Sequence, residues 1–267
     1  MRWSDGASIG GRGIVAVPIE GVPPIKKGDD LANIASSLFG FEDGDVLAIA
    51  STVVSKSEGR VLELSSIVPT ERARRIAERC KKPPAFVQAV LDESEEVLVE
   101  HPFLLVVRKG HVCVNAGIDA SNVEEGKVLL LPDEPDKSAE RIRQAIERLT
   151  GRRVGVIITD TSGRPFRVGQ CGVALGCAGL VPIKSWIGVP DMHGRPLEIT
   201  EEAIADELAA LANVLMGEAN GMTPMVVIRG MSDVVVDEGM GASTLLRRNE
   251  EDVVRAALRL WRASRAH

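Results

Sequence analysis

Short β-branched runs alternate along the chain with segments whose apolar residues recur every three or four positions, which predicts a mixed α/β fold. Strands are expected at Val15–Ile19, Val46–Ala50, Val97–Val99, Leu104–Val107, Val128–Leu131, Val154–Ile158 and Val226–Ile228. Ile142, Ile146 and Leu149 share one helical face ahead of Gly151, with Asp136 as the expected N-cap, although Ala139 leaves no reciprocal capping box. Thr200 is expected to cap a second helix, with Glu201 and Glu202 in its first turn and Ile204, Leu208, Leu211 and Leu215 as its apolar line. A closing helix is expected from about Glu250 to Trp261. No repeat or low-complexity linker interrupts the chain. Pro83-Pro84 and the stretch 132–135 are the best breaks, and both are too short for a flexible tether. Residues 1–267 therefore read as one unit.

Composition removes several function classes. With 267 residues, 45% apolar and 26% charged, the chain can bury a sizeable core as an ordinary soluble protein. Five Phe, three Trp and no Tyr leave few platforms for stacking single-stranded bases. A net charge of −6 supplies no basic stripe for a duplex, so nucleic acid is not expected as a partner. No membrane association is expected either. The start, Met-Arg-Trp-Ser-Asp-Gly, lacks the apolar core of a signal peptide. The longest weakly polar stretch, Val168–Ile183, contains Gln170 and is shorter than the ~18–20 residues of a spanning helix. Cys80, Cys113, Cys171 and Cys177 form no CxxC pair, which predicts reduced thiols, a cytoplasmic location, and small core residues at Cys171 and Cys177.

Candidate chemistry lies where apolar runs stop. There is no GxxxxGK[ST] and no correctly spaced GxGxxG, so neither a P-loop nor a Rossmann fold is expected. Between Thr161 and Gly179 stand Gly163, Gly169, Gly172, Gly176 and Gly179, a density that suits backbone approaching a ligand or another backbone. The expected strand Val154–Ile158 runs into Thr159-Asp160-Thr161-Ser162-Gly163-Arg164, placing a carboxylate at the rim of a sheet. Asp160 beside a hydroxyl suits a hard cation such as magnesium or manganese, and an Asp turn uses the same letters. In Asn115-Ala116-Gly117-Ile118-Asp119-Ala120-Ser121-Asn122, Asp119 and Asn122 suit a metal and a ribose or base, or simply a turn. Met216-Gly217-Glu218-Ala219-Asn220-Gly221 reads as a metal ligand beside glycine or as a helix C-cap. Ser51-Thr52-Val53-Val54-Ser55-Lys56 offers hydroxyls and a cation for phosphate oxygens, or an ordinary solvated loop.

Taken together, Asp119, Asp160 and Glu218 would repel a triphosphate unless divalent cations lay between, with Lys56, Arg164 and Arg167 offsetting the remaining charge. Such a set suits nucleotide-driven ligation or phosphoryl transfer better than hydrolysis by a protein nucleophile. No GxSxG elbow and no HExxH occur, and His193 reads as a solvated loop histidine.

In order along the chain, these four motifs resemble the coenzyme F-420-0:L-glutamate ligase family, from about Ile14 to Gly230. The chain departs at Gly21-Val22-Pro23-Pro24, where a proline replaces a larger apolar residue, and residues 1–12 look like an amino-terminal extension. The resemblance implies a family-specific ligase fold, a two-domain subunit and a homodimer. It implies GTP-driven joining of L-glutamate to the deazaflavin precursor F-420-0, with further γ-linked glutamate as an option. It also implies that Asp119 and Asp160 hold one divalent metal, and Thr161 and Glu218 a second, as Mg2+ or Mn2+, with K+ a further candidate ion. Gly21, Val22, Pro23, Pro24, Ser51, Thr52, Lys56, Asn122, Met216, Gly217, Glu218, Ala219, Asn220, Gly221, Met222 and Thr223 would then line the GTP site. Asp160, Lys56 and Arg164 are the expected catalytic residues. The expected chemistry is attack of the F-420-0 carboxylate on the γ-phosphate, then displacement of phosphate by the glutamate amine. The rival readings are a metal-dependent phosphatase or nucleotidase and a non-catalytic GTP sensor.

Overall fold

Strands that must be covered on both faces read as unbroken apolar runs, and those runs form the centre of this molecule. The computed structural model describes residues 13–264 apart from Asn122 and Asn220. Expectations for those two residues and for the extension 1–12 lie outside the described residues. The first half of the chain runs β1 (Val15–Pro18), α1 (Leu31–Leu38), β2 (Val46–Ala50), α2 (Ser51–Glu58), β3 (Val61–Glu63), α3 (Glu71–Cys80), α4 (Pro84–Asp92), β4 (Glu96–Val99), β5 (Leu105–Arg108), β6 (His111–Val114) and β7 (Lys127–Leu129). The second half runs α5 (Pro135–Thr150), β8 (Gly155–Arg164), β9 (Arg167–Ala178), β10 (Lys184–Ser185), β11 (Glu201–Glu202), α6 (Ile204–Met216), β12 (Met225–Arg229) and α7 (Val253–Ala263). The mixed α/β expectation holds.

The main sheet has the order β1-β12-β2-β8-β9, with β2 and β8 parallel and the other neighbours antiparallel. Alternation along its strands splits the core in two. Leu47, Ile49, Val156, Ile158 and Val227 pack with residues of α1 and α5, including Leu31, Ala35, Ala139 and Ile146. Val46, Ala48, Ile157, Val226 and Ile228 pack on the opposite face with Leu208, Ala209 and Ala212 of α6. A separate core gathers Ile76, Phe86, Val87, Val90, Val106 and Val128 between α3, α4 and the small sheets β3-β7 and β4-β5-β6.

Several local expectations are corrected. β8 does not stop at Ile158 but continues to Arg164 and folds back as β9, so the glycine-rich stretch is a hairpin. Its glycines let backbone meet backbone. A Cβ on Gly172 would strike the Ala209 carbonyl of α6, and one on Gly176 would strike the start of α5 at Pro135 and Asp136. Asp136 is not the cap of α5, because Glu134 holds that position and Pro135 opens the helix. The Asp136 carboxylate instead accepts the backbone N–H of Cys177 at 2.9 Å and of Ala242 at 2.7 Å.

Thr200 caps no helix. Glu201 and Glu202 pair with Lys184 and Ser185 as a small hairpin, and α6 begins at Ile204 after Ala203. Its buried face is Ile204, Ala205, Leu208, Ala209, Ala212 and Met216, leaving Leu211 and Leu215 at the exposed margin. The closing helix starts at Val253, where the Asp252 carboxylate accepts the Arg255 N–H at 2.9 Å. Cys177 is buried, and burial pushes its thiol up to about 12; Cys171 is half-buried. Among the described residues no helix is long and apolar enough to cross a membrane.

Candidate active site

One edge of the main sheet collects chain ends. β2 and β8 run parallel, and their pairing ends at Ala50 opposite Thr159. β12 is antiparallel to β2 and β1 is antiparallel to β12, so β1 also ends, and β12 begins, at that edge. The segments that follow β1 and β2, that extend β8 and that precede β12 therefore meet outside the carboxyl ends of the parallel strands, where open α/β sheets bind ligands.

A cavity of about 620 Å³ opens there, within the range of small-molecule sites. Val22, Pro23 and Pro24 after β1, Ser51, Thr52 and Lys56 of α2, and Asp160 and Thr161 of β8 line it. Asp119 lines it too, with Met216 at the end of α6 and Gly217, Glu218, Ala219, Met222 and Thr223 between α6 and β12. Gly21, Gly221 and Arg164 are not part of this wall. Arg164 lies opposite Arg167 at the far end of the hairpin. Sequence reasoning missed Ile25, Ser121, Thr159, Asn213 and Pro224, all of which line the cavity. For Asn213 a signal existed: it lies one helical turn before Met216, a polar residue beside an apolar stripe.

Each functional side chain is delivered by a local device. The eight-residue helix α2 begins at Ala50, which has no side chain able to cap it, so the first backbone N–H groups of α2 are free for an anion at the cavity wall. Gly59 closes α2 in the left-handed conformation. Asp119 follows three successive left-handed residues, Asn115, Ala116 and Gly117, with φ of 53°, 55° and 68°. Only Gly takes that region freely, so this turn stores strain next to the cavity. Asp119 then accepts the Ser121 N–H and hydroxyl, both at 2.7 Å. Glu218 accepts from the Asn213 side-chain amide at 3.1 Å.

Burial pushes the Asp160 carboxyl up to about 6, the nearby Asp119 and Glu218 carboxylates add to the effect, and hydrogen bonds from Thr161 N–H and Ser51 oppose it. The Thr161 N–H donates to Asp160 at 2.9 Å. Lys56 is the one cationic side chain among the described residues of the wall. Three carboxylates and several hydroxyls form a hard-oxygen donor set, which fits Mg2+ or Mn2+. Among the described residues no three of His, Cys, Asp and Glu gather into a ready-made metal cage. A magnesium site built from one or two carboxylates plus water and phosphate needs no such cage.

A family model described as F420-0:Gamma-glutamyl ligase matches residues 21–230. The chain belongs to that family. The F420-0:gamma-glutamyl ligase match contains every residue of the cavity wall, from Val22 to Pro224. Proteins called coenzyme F420:L-glutamate ligase are similar over nearly their whole length. The one from Archaeoglobus fulgidus is 58% identical over 243 residues, 91% of this chain and 96% of the relative. That from Methanosarcina mazei is 48% identical, covering 92% of this chain and 97% of the relative. That from Natronomonas pharaonis is 50% identical, covering 92% and 96%.

Proposed function

We propose that this chain uses GTP to join L-glutamate to coenzyme F-420-0 through an acyl phosphate. As a member of its family it is an enzyme, a coenzyme F420:L-glutamate ligase. The observation that carries the GTP-driven mechanism is the cavity itself, where the uncapped start of α2, Lys56 and the carboxylates Asp119, Asp160 and Glu218 face one space. The N–H groups of α2, with Ser51, Thr52 and Lys56, hold the phosphate chain. Asp119 and Asp160 would hold one divalent cation, and Thr161 and Glu218 a second. Such cations, when bound, neutralise charge on the transferred phosphoryl group.

In the first step a carboxylate oxygen of F-420-0 forms a bond to the γ-phosphorus while the bond from that phosphorus to the bridging oxygen breaks, and GDP leaves. In the second the glutamate nitrogen attacks the acyl carbon, gives up a proton, and phosphate departs to leave an amide. The protein's part is positioning and electrostatic support, which this chemistry chiefly requires. Arg164 and Arg167 lie beyond the cavity wall on the hairpin and serve as the cationic landing for an anionic substrate. Further γ-linked glutamates are added by the same two steps. We also assign a cytoplasmic, homodimeric enzyme with a two-domain subunit, a division supported by the two separate sets of hydrophobic cores.

The test incubates the purified protein with F-420-0, GTP, L-glutamate and Mn2+ and reads the deazaflavin mass. Glutamate-sized increments that vanish without GTP are expected. GTP consumption over an unchanged deazaflavin would replace this reading by a phosphatase, and no change in either by a sensor.

A further inference from the structure

Thr159 was assigned no role by the motifs, yet it lines the cavity and is 2% exposed, and its hydroxyl has no hydrogen-bond partner in the protein. A buried hydroxyl left unpaired is unfavourable, and valine would fill the same volume without that cost. Its place in the ladder says what kind of partner is missing. Thr159 lies directly opposite Ala50, the residue from which the uncapped helix α2 departs, and directly before Asp160. Alternation puts it on the face of Ile157, which packs toward α6, and Asn213 and Met216 of α6 line the same cavity.

We propose that the Thr159 hydroxyl donates a hydrogen bond to a phosphate oxygen of the bound nucleotide, acting with the first N–H groups of α2. This inference rests on the GTP reading of the cavity. A hydroxyl in that position discriminates nucleotides by their phosphate chain and contributes nothing to a nucleoside.

Calorimetric titration of the whole protein with the non-hydrolysable analogue guanosine 5′-(β,γ-imido)triphosphate and Mg2+, without F-420-0 or glutamate, tests it. Thr159→Val should weaken the analogue by about 10- to 100-fold, the scale of a hydrogen bond to a charged group, and Thr159→Ser should stay within about threefold of wild type. Guanosine should bind all three proteins alike, and Mn2+ alone should bind Thr159→Val as it binds wild type. The ligand-free Thr159→Val protein should melt at or above the wild-type temperature, because it loses an unpaired group.

Equal affinity of Thr159→Val and wild type for the analogue overturns the inference while leaving the GTP reading intact. A variant that melts well below wild type, or that loses guanosine equally, shows a structural hydroxyl and overturns it too. Loss of Mn2+ binding without loss of nucleotide binding would make the hydroxyl a metal ligand instead. A wild-type protein that fails to bind the analogue removes the GTP reading, and this inference with it.

Discussion

Burial and the neighbouring carboxylates hold the Asp160 carboxyl at about 6 against an ordinary 3.8, and Asp160→Asn measures what that charge costs the ligand-free fold. A carboxyl whose value is raised by folding stabilises the native state below its unfolded value, and that stabilisation is lost as pH rises through about 6. Above that pH the ionised form is penalised by at most about 3 kcal/mol. Asparagine keeps the shape and one acceptor for the Thr161 N–H, and it carries no charge. In EDTA at pH 7.5 the variant should therefore melt about 5–10 °C above wild type for a protein of this size. At pH 4 the two should coincide.

The catalytic consequence runs the other way. Mn2+ should raise the melting temperature of wild type more than that of Asp160→Asn, and turnover should fall by at least about 100-fold, the scale of one lost electrostatic group. Calorimetry across pH 4–8, with and without metal, and the glutamate-addition assay read these quantities. A variant less stable than wild type at pH 7.5 would refute the charge argument. Near-normal turnover in saturating Mn2+ would refute the metal role.

Lys56→Ala should raise the apparent KM for GTP by at least about tenfold and leave that for glutamate nearly unchanged, since it is the lone cation of the described cavity wall; equal effects on both would remove Lys56 from the phosphates. Gly176→Ala forces a methyl group against the start of α5 and should cost about 1–3 kcal/mol in urea unfolding, and a change under about 0.5 kcal/mol would contradict the close approach. Phe166 and Val168 stand almost wholly in solvent at the tip of the β8–β9 hairpin, and if the proposed homodimer forms through them, wild type should be a dimer by light scattering and the double variant Phe166→Ser, Val168→Ser a monomer. A double variant that stays dimeric places the subunit contact elsewhere.

The central strands were legible because their sequence is determined by burial on both faces: Val46–Ala50 and Val226–Ile228 cannot sit anywhere but between two layers. The first turn expected after Thr200 was not, because Glu201 and Glu202 answer to a strand fifteen or more residues away, and a local capping pattern carries no knowledge of Lys184 and Ser185. The same limit applies at the site. Each motif had a turn, a cap or a solvated loop as its local alternative, and what separates function from these is convergence. That convergence is a property of sheet topology: β1 and β2 finish, β8 runs past the end of its pairing with β2, and β12 starts, at one edge. Asp119 joins them through backbone at Asn115 and Ala116 that side-chain-bearing residues rarely adopt, so no propensity could have placed it. Thr159 escaped notice for a third reason. A polar residue is informative when buried beside a cavity, and burial is decided only after α6 has closed over the strand ends. The residues hardest to read in the sequence are thus those whose meaning is set by their neighbours in space, and the unpaired hydroxyl of Thr159 marks the place where that neighbour is a ligand.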